Sequence, residues 1–189
     1  MRIITGRAKG TNLFTPKNYD VRPTADRVKE SVFNIIGSSI VDARVLDAFA
    51  GTGNLGLECW SRGAASVIFV DKSRESLKLV QRNVEKCHAE DDCRLLEGEA
   101  ASQIARLERQ GEVFDFIFLD PPYHKGLLEK FLAKLAEHSI ASANCRIVAE
   151  RAADEKMPVL PEGFELQREE KYGSTVIDFI CRKEYNITL

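Results

Sequence analysis

Two short stretches carry residue types that can do chemistry. The first, FLDPPYHKG at 118–126, sets Asp120, Pro121, Pro122 and Tyr123 directly after a strongly apolar run. A packed core has no use for two prolines at that place. Proline fixes φ and has no N–H, so the loop is stiff and leaves carbonyl groups as acceptors. A carboxylate, a rigid carbonyl and an aromatic ring suit a planar group that bears an amine. Asp120 and the Pro121 carbonyl would each accept an N–H hydrogen bond, with Pro122 stiffening the turn. Tyr123 would stack on the ring face, a contact worth about 1–3 kcal/mol per base in single-strand recognition.

The amine of a nucleobase is a weak nucleophile because its lone pair is delocalised into the ring. Oxygen acceptors orient that nitrogen and stabilise the positive charge that develops as it attacks. Alignment with the incoming carbon is mainly a positioning effect. A paired base would have to be flipped out of its stack to enter.

The second stretch, DAFAGTGNLG at 47–56, spaces Gly51, Gly53 and Gly56 as G-x-G-x-x-G between an apolar strand and a helix. That spacing is shared by several nucleotide cofactors and marks a close approach of backbone to ligand. Asp71 closes the next strand about 20 residues on, the usual place for an acid that grips a ribose. Asp47 separates the two leading cofactors. A carboxylate just before the glycines would repel the pyrophosphate of NAD. S-adenosylmethionine has no phosphate and carries an ammonium and a sulfonium, which an acid attracts more strongly in a partly desolvated cleft. The charges favour S-adenosylmethionine. Glu99, after the third strand, would either accept from the adenine amine or serve as an acid at a helix N-terminus.

These stretches need a scaffold, and the pattern supplies one. From Arg44 the chain alternates strands (RVLDAF, SVIFVD, CRLLEG, FDFIFLD, CRIVAE) with amphipathic helices. Ser73 is expected to cap the helix striped by Leu77, Val80, Val84 and Cys87. Ile104 and Leu107 point inward from the next, and Leu128, Phe131, Leu132 and Leu135 stripe the last. Continuous apolar strands joined by helices predict parallel pairing with both faces covered. FELQREEKY and STVIDFICR, separated by little more than Gly173, predict a closing hairpin. The expected fold is α/β: a Rossmann-like, doubly wound, seven-stranded sheet, mostly parallel, with a C-terminal antiparallel hairpin. Ligands of such sheets bind at strand carboxyl ends where the winding reverses. If the first and fourth strands are neighbours, Asp47 and Asp120 flank one crevice.

Before this domain, assigned to 38–189, residues 1–37 are expected to form a basic arm and a helical lid. RIITG reads as a short strand, Thr24 as an N-cap, and Gly37 as a helix stop. Residues 1–30 carry seven basic and three acidic side chains, a net +4 in a chain whose total is −2. Such an arm either contacts phosphates or is a solvated tail.

Hydrophobic residues at 44% and charged residues at 30% are ordinary for a soluble globular protein. No apolar run reaches the roughly 20 residues of a membrane span. MRIITGRAKG lacks the apolar core of a signal peptide. The five cysteines form no C-x-x-C pair, so neither a metal site nor a disulfide framework is expected. A cytoplasmic, reduced, monomeric protein fits best.

DAFAGTGNLGLECWSRGA, FLDPPY and above all RPTADRVKESVFNII resemble the bacterial small-subunit rRNA guanine-N2 methyltransferases, across nearly the whole chain. D-P-P-[FY] alone marks a broad group of amino-group methyltransferases, and the R-P-T-x-D-R-V segment narrows it. The resemblance implies methyl transfer from S-adenosylmethionine to the N2 amine of a guanine in 16S rRNA, either naked or in an assembling 30S particle. It implies Asp120, Pro121 and Tyr123 at the chemistry. It also implies a donor cleft of Asp47, Phe49, Ala50, Gly51, Gly53, Asn54, Leu55, Gly56, Asp71, Lys72, Gly98, Glu99 and Ala100. Arg22, Thr24 and Arg27, with Pro122, would meet the RNA or close over the donor. Glu99 stands where an aspartate is common, and Tyr123 where phenylalanine is often found. The alternatives are methylation of DNA adenine, another RNA or a protein glutamine, and, from a different class, an NAD-dependent oxidoreductase.

Overall fold

The computed structural model describes residues 1–16 and 23–183, the side chains of 23–25 excepted. Five parallel strands, β1 (Arg44–Asp47), β2 (Ser66–Asp71), β3 (Cys93–Glu97), β4 (Phe114–Leu119) and β5 (Ala141–Ala152), are followed by β6 (Phe164–Tyr172) and β7 (Thr175–Arg182). The sheet order is β3-β2-β1-β4-β5-β7-β6, and β7 runs antiparallel to both of its neighbours. β1 therefore lies between β2 and β4, and the winding reverses there as expected.

Alternate strand residues face two separate cores. Val45, Val67, Phe69, Phe116 and Phe118 join α1 (Pro23–Ile36), α2 (Asn54–Ser61) and α3 (Arg74–Cys87) on one face. Leu46, Ile68, Val70, Ile117 and Leu119 join α4 (Ala100–Arg109) and α5 (Leu127–Leu135) on the other. Each fully buried Leu, Ile, Val or Phe stabilises the fold by roughly 1.5–3 kcal/mol over exposure, so helices on both faces are the natural cover for such strands. The expected stripes are buried at Val80, Val84 and Cys87 on α3, where Leu77 is only half-buried, at Ile104 and Leu107 on α4, and at all four residues on α5. The Ser73 hydroxyl caps α3 by accepting the Ser76 amide at 3.2 Å.

The N-terminal segment differs from its reading. The strand expected at RIITG is reduced to one bridge, Arg2 with Asn12. The helix starts at Pro23, one residue ahead of the expected Thr24 cap. Proline suits the first helical position because the N–H it lacks would have no intrahelical partner. Gly37, at φ 61°, ends the helix as expected.

Residues 1–14 dock on α2 rather than trailing. Glu58, fully buried, accepts the amides of Ile4 at 2.8 Å and Thr5 at 3.1 Å. It also pairs with Arg62 at 2.8 Å and with buried Lys29 of α1 at 3.1 Å. Lys29 donates in addition to the Arg2 carbonyl and to Asn54 Oδ1, each at 2.7 Å. Arg7, a candidate phosphate contact by charge, is tied to the Trp60 and Ala64 carbonyls and lies over the Trp60 ring. Gly6 passes so close that a Cβ would sit 1.8 Å from the Ser61 carbonyl oxygen.

Glu58→Ala strands a buried ammonium and two backbone amides together. Loss of one partner from a buried ion pair costs about 3–5 kcal/mol, and denaturant unfolding should show a loss of that size. A change below about 1 kcal/mol, the scale of an exposed pair, would mean that Glu58 does not hold the arm.

Candidate active site

Four of the apolar strands end on, or near, an acid that turns toward one another along the sheet edge. In sheet order these are Asp71 of β2, Asp47 of β1, Asp120 just after β4, and Glu150 of β5. Each lies within electrostatic reach of the next: Asp71 on Asp47, Asp47 on Asp120, and Glu150 on Asp120. The fifth, Glu97 of β3, is drawn off by Arg74 at 2.8 Å on the surface.

The two aspartates nearest the glycine turn shape it. Asp47 is 1% exposed, and its Oδ2 accepts the Gly56 amide at 3.0 Å. Burial, with a smaller push from Asp71, raises its carboxyl to about 7, against the opposing hydrogen bonds from the Gly56 and Phe49 amides. Asp71 accepts the Gly51 amide at 2.9 Å through Oδ2 and the Ser73 amide at 2.8 Å through Oδ1. It thereby ties the turn to the start of α3 and keeps further lone pairs for a ligand.

The three glycines do different work. A Cβ on Gly56 would lie 2.3 Å from the Phe69 ring, so this residue lets α2 pack on β2 and faces the core. Gly53, at φ 78°, is closed in by Val80 and Leu57. Gly51, at φ 54°, meets only the Phe49 carbonyl oxygen, at 4.0 Å, and its edge is the one that a ligand can approach. Ala50 and Ala100 are buried, Leu55 packs against the first core, and Phe49 tilts onto Phe131. The Asn54 side-chain oxygen, Oδ1, accepts the Lys29 ammonium. Lys72 is exposed. Gly98 donates its amide to the Asp71 carbonyl at 2.9 Å, bringing the third loop beside the second. Glu99 stands at the N-cap position of α4 without capping a backbone amide, and accepts Lys130 at 2.6 Å, which lowers its carboxyl.

On the far side of Asp47 the proline loop follows β4. Phe118 lies against Phe33 of α1 with centroids 5.9 Å apart, so the helix that opens the chain supports this loop from beneath. Asp120 is accessible at the cleft mouth. Loss of hydration around its carboxyl, then the charges of Glu150 and Asp47, raise it above the usual aspartate range, an effect that solvent contact moderates. Pro121 is buried and Pro122 exposed. The Tyr123 hydroxyl donates to Glu150 and lies 3.1 Å from the Thr175 hydroxyl, fixing the ring between β5 and β7. Burial and the Glu150 carboxylate raise the phenol. A cavity of about 320 Å³ opens beside the loop, lined by Pro121, Pro122, Tyr123, Glu150, Met157 and Val159 among others.

Glu150 and Thr175 were not among the expected site residues. The signal for Glu150 was present, since CRIVAE ends on an acid as RVLD, SVIFVD and FIFLD do. Thr175 carried none. Arg27 is exposed on α1, Thr24 lies in its first turn, and Arg22 is outside the described residues.

A reversed doubly wound sheet with an antiparallel seventh strand, a glycine turn and an acidic proline loop defines a Rossmann-like methyltransferase. The comparisons carry this further. Residues 1–181 match the family described as conserved hypothetical protein 95, and the chain belongs to that family. It is 34% identical to the ribosomal RNA small subunit methyltransferase D of Escherichia coli K12 over 173 residues, 92% of this chain and 85% of that protein. The protein of the same name from Haemophilus influenzae is 31% identical, with 92% and 89% covered. A solved Escherichia coli structure named "Putative methyltransferase yhhF" superposes with a TM-score of 0.86 at 32% identity, over 97% of this chain and 98% of that one.

The raised Asp47 sets a pH dependence on stability. Unfolded, this carboxyl ionises near 3.8; folded, it keeps its proton up to about 7. Between those values the folded state holds the extra proton, so stability falls as pH rises and the full loss is present above 7. Asp47→Asn can still accept the Gly56 amide and carries no charge. Its melting temperature should exceed that of the parent by roughly 10 °C near pH 8, with the gain shrinking as the pH falls toward 3.8. A gain independent of pH would contradict a buried, charged Asp47.

Proposed function

We propose that this protein transfers a methyl group from S-adenosylmethionine to the exocyclic N2 amine of a guanine in 16S rRNA. The observation that carries the reading is the row of carboxylates from Asp71 to Glu150 along four adjacent strands. Such a row repels a pyrophosphate and attracts a cation, and desolvated carboxyls gain most from one. The open edge at Gly51, with Asp71 beside it, fits a nucleoside-bearing donor. Asp47, Phe49, Ala50, Gly53, Asn54 and Leu55 would form its bed, with Gly56 packing α2 behind it, and Lys72, Gly98, Glu99 and Ala100 the adenine end. The bound donor supplies an electrophilic methyl on a sulfonium.

The chain's own residues do the rest. Asp120 and the Pro121 carbonyl accept the N–H groups of the amine and turn its nitrogen toward the donor side of the cleft. Tyr123, held by Glu150 and Thr175, presents a fixed ring face for stacking. Charge developing on nitrogen is met by Asp120. The Asp120 carboxyl, raised from its ordinary range, is matched to accept the proton that the amine sheds near neutral pH. Names given to the relatives support small-subunit rRNA as the substrate. Arg22, Thr24 and Arg27, in the unit of residues 1–37, would with Pro122 meet the RNA or close over the donor. The enzyme is proposed to act as a monomer in the cytoplasm, on rRNA free or within an assembling 30S particle.

Mass spectrometry of 16S rRNA from a strain lacking the gene should show one N2-methylguanine missing. The parent gene should restore it. An Asp120→Ala gene should not, because losing a preorganised transition-state acceptor slows turnover about 10²–10³-fold. An unchanged set of methylated guanines in the deletion strain would contradict the substrate, and full restoration by Asp120→Ala would contradict the role of Asp120.

A further inference from the structure

Glu150 has more to do than hold Tyr123. The register of β4 with β5 pairs Leu119 with Ala149, so the next residues along, Asp120 and Glu150, come side by side at the strand ends. Glu150 Oε1 takes the Tyr123 hydroxyl. A carboxylate accepts about four hydrogen bonds, so one such bond leaves most of its capacity open. The group lines the same cavity as Pro121 and Tyr123, whose walls combine apolar Pro122, Met157, Pro158 and Val159, suited to the faces of a flat ring, with charged Glu129, Arg151, Glu155 and Lys156. Val159, at 82% exposed, forms an apolar rim at the opening.

Two acceptors side by side call for two donors side by side. On guanine the N2 amine and the ring N1–H are adjacent donors on one edge. On adenine the amine is flanked by an N1 that is itself an acceptor, and a carboxylate facing it would be repelled. We propose that Glu150 accepts the N1–H of the target guanine while Asp120 and the Pro121 carbonyl hold its N2 amine, so that Glu150 selects guanine over purines lacking a proton on N1. The inference rests on the guanine-N2 reading above. It assigns Glu150 a task separate from that of Asp120: Asp120 serves the reacting nitrogen, and Glu150 reads its neighbour. The Tyr123 hydroxyl and Thr175 keep the carboxylate from swinging away.

2-Aminopurine probes the effect, since it keeps the amine at position 2 and replaces the N1–H by a bare acceptor; it also lacks O6, and the Glu150 variant separates the two changes. Small-subunit RNA is assembled by ligation with either guanine or 2-aminopurine at the acceptor position mapped by mass spectrometry. Methyl transfer to each is measured as kcat/KM with the full-length enzyme. The parent enzyme should prefer guanine by about 10- to 100-fold, the range of one hydrogen bond to a charged group. Glu150→Gln can turn either an oxygen or an amide toward N1, and should bring the two RNAs within about threefold. Tyr123→Phe removes the hydroxyl that anchors the carboxylate, so its preference should fall between those of the parent and Glu150→Gln.

A preference unchanged in Glu150→Gln overturns the assignment. So do equal rates on the two RNAs with the parent enzyme, a result that does not depend on any variant folding. Either leaves N2 methylation of guanine standing. Failure of the parent enzyme to place methyl on the N2 of any guanine removes the underlying reading itself, and the two failures are thereby distinct.

Discussion

The site depends on two carboxylates spent on backbone. Asp47 accepts the Gly56 amide, and Asp71 accepts those of Gly51 and Ser73. These bonds fix the chain where it leaves β1, fix the start of α2, and lock the first loop to the second. Burying Asp47 opposes its ionisation, and the amides that point at it recover only part of that loss. A fold does not need a desolvated acid at the centre of its sheet, and a polar neutral side chain could accept the same amide. The acid makes physical sense if a cation arrives to neutralise it.

The same economy extends across the sheet. Because β1 and β4 are neighbours, the acids that end them face one crevice, and β5 adds Glu150 on the far side. The row divides naturally. Asp71 and Asp47 belong to the glycine turn, whereas Asp120 opens the rigid proline loop and Glu150 lines the cavity beside it. In the proposed reaction, a donor bound at one end and an amine held at the other would meet at the switch between the two windings. The N-terminal segment underwrites both halves. Lys29 joins the arm to Asn54 and Glu58 behind the glycine turn, and Phe33 of the same helix presses on Phe118 behind the proline loop. One helix thus supports the two loops that must stay in register.

Much of this was legible in the sequence because it follows local rules. Apolar strands alternating with striped helices gave the sheet, and the Gly173 turn gave the hairpin. The strand-end acids Asp47, Asp71 and Asp120 followed from the same pattern. The misreadings were of long-range partners. Basic residues of the arm look like phosphate contacts by charge, but Arg7 spends its guanidinium on carbonyls more than 50 residues away, at sequence separations of 53 and 57. RIITG has strand composition, yet the backbone at Ile4 and Thr5 is claimed by Glu58 and leaves only one bridge. Gly56 looks like a ligand glycine by spacing and is a packing glycine because Phe69 fills the space beside it. Glu150 was overlooked although its strand ends as the others do, since its importance comes from register with β4.

Calorimetric titration of the protein with S-adenosylmethionine and with NAD tests the central claim most directly, because the two share an adenosine and differ in the charge presented to Asp47. Saturable binding of S-adenosylmethionine with none for NAD is the result predicted. Saturable binding of NAD with none for the sulfonium would contradict it.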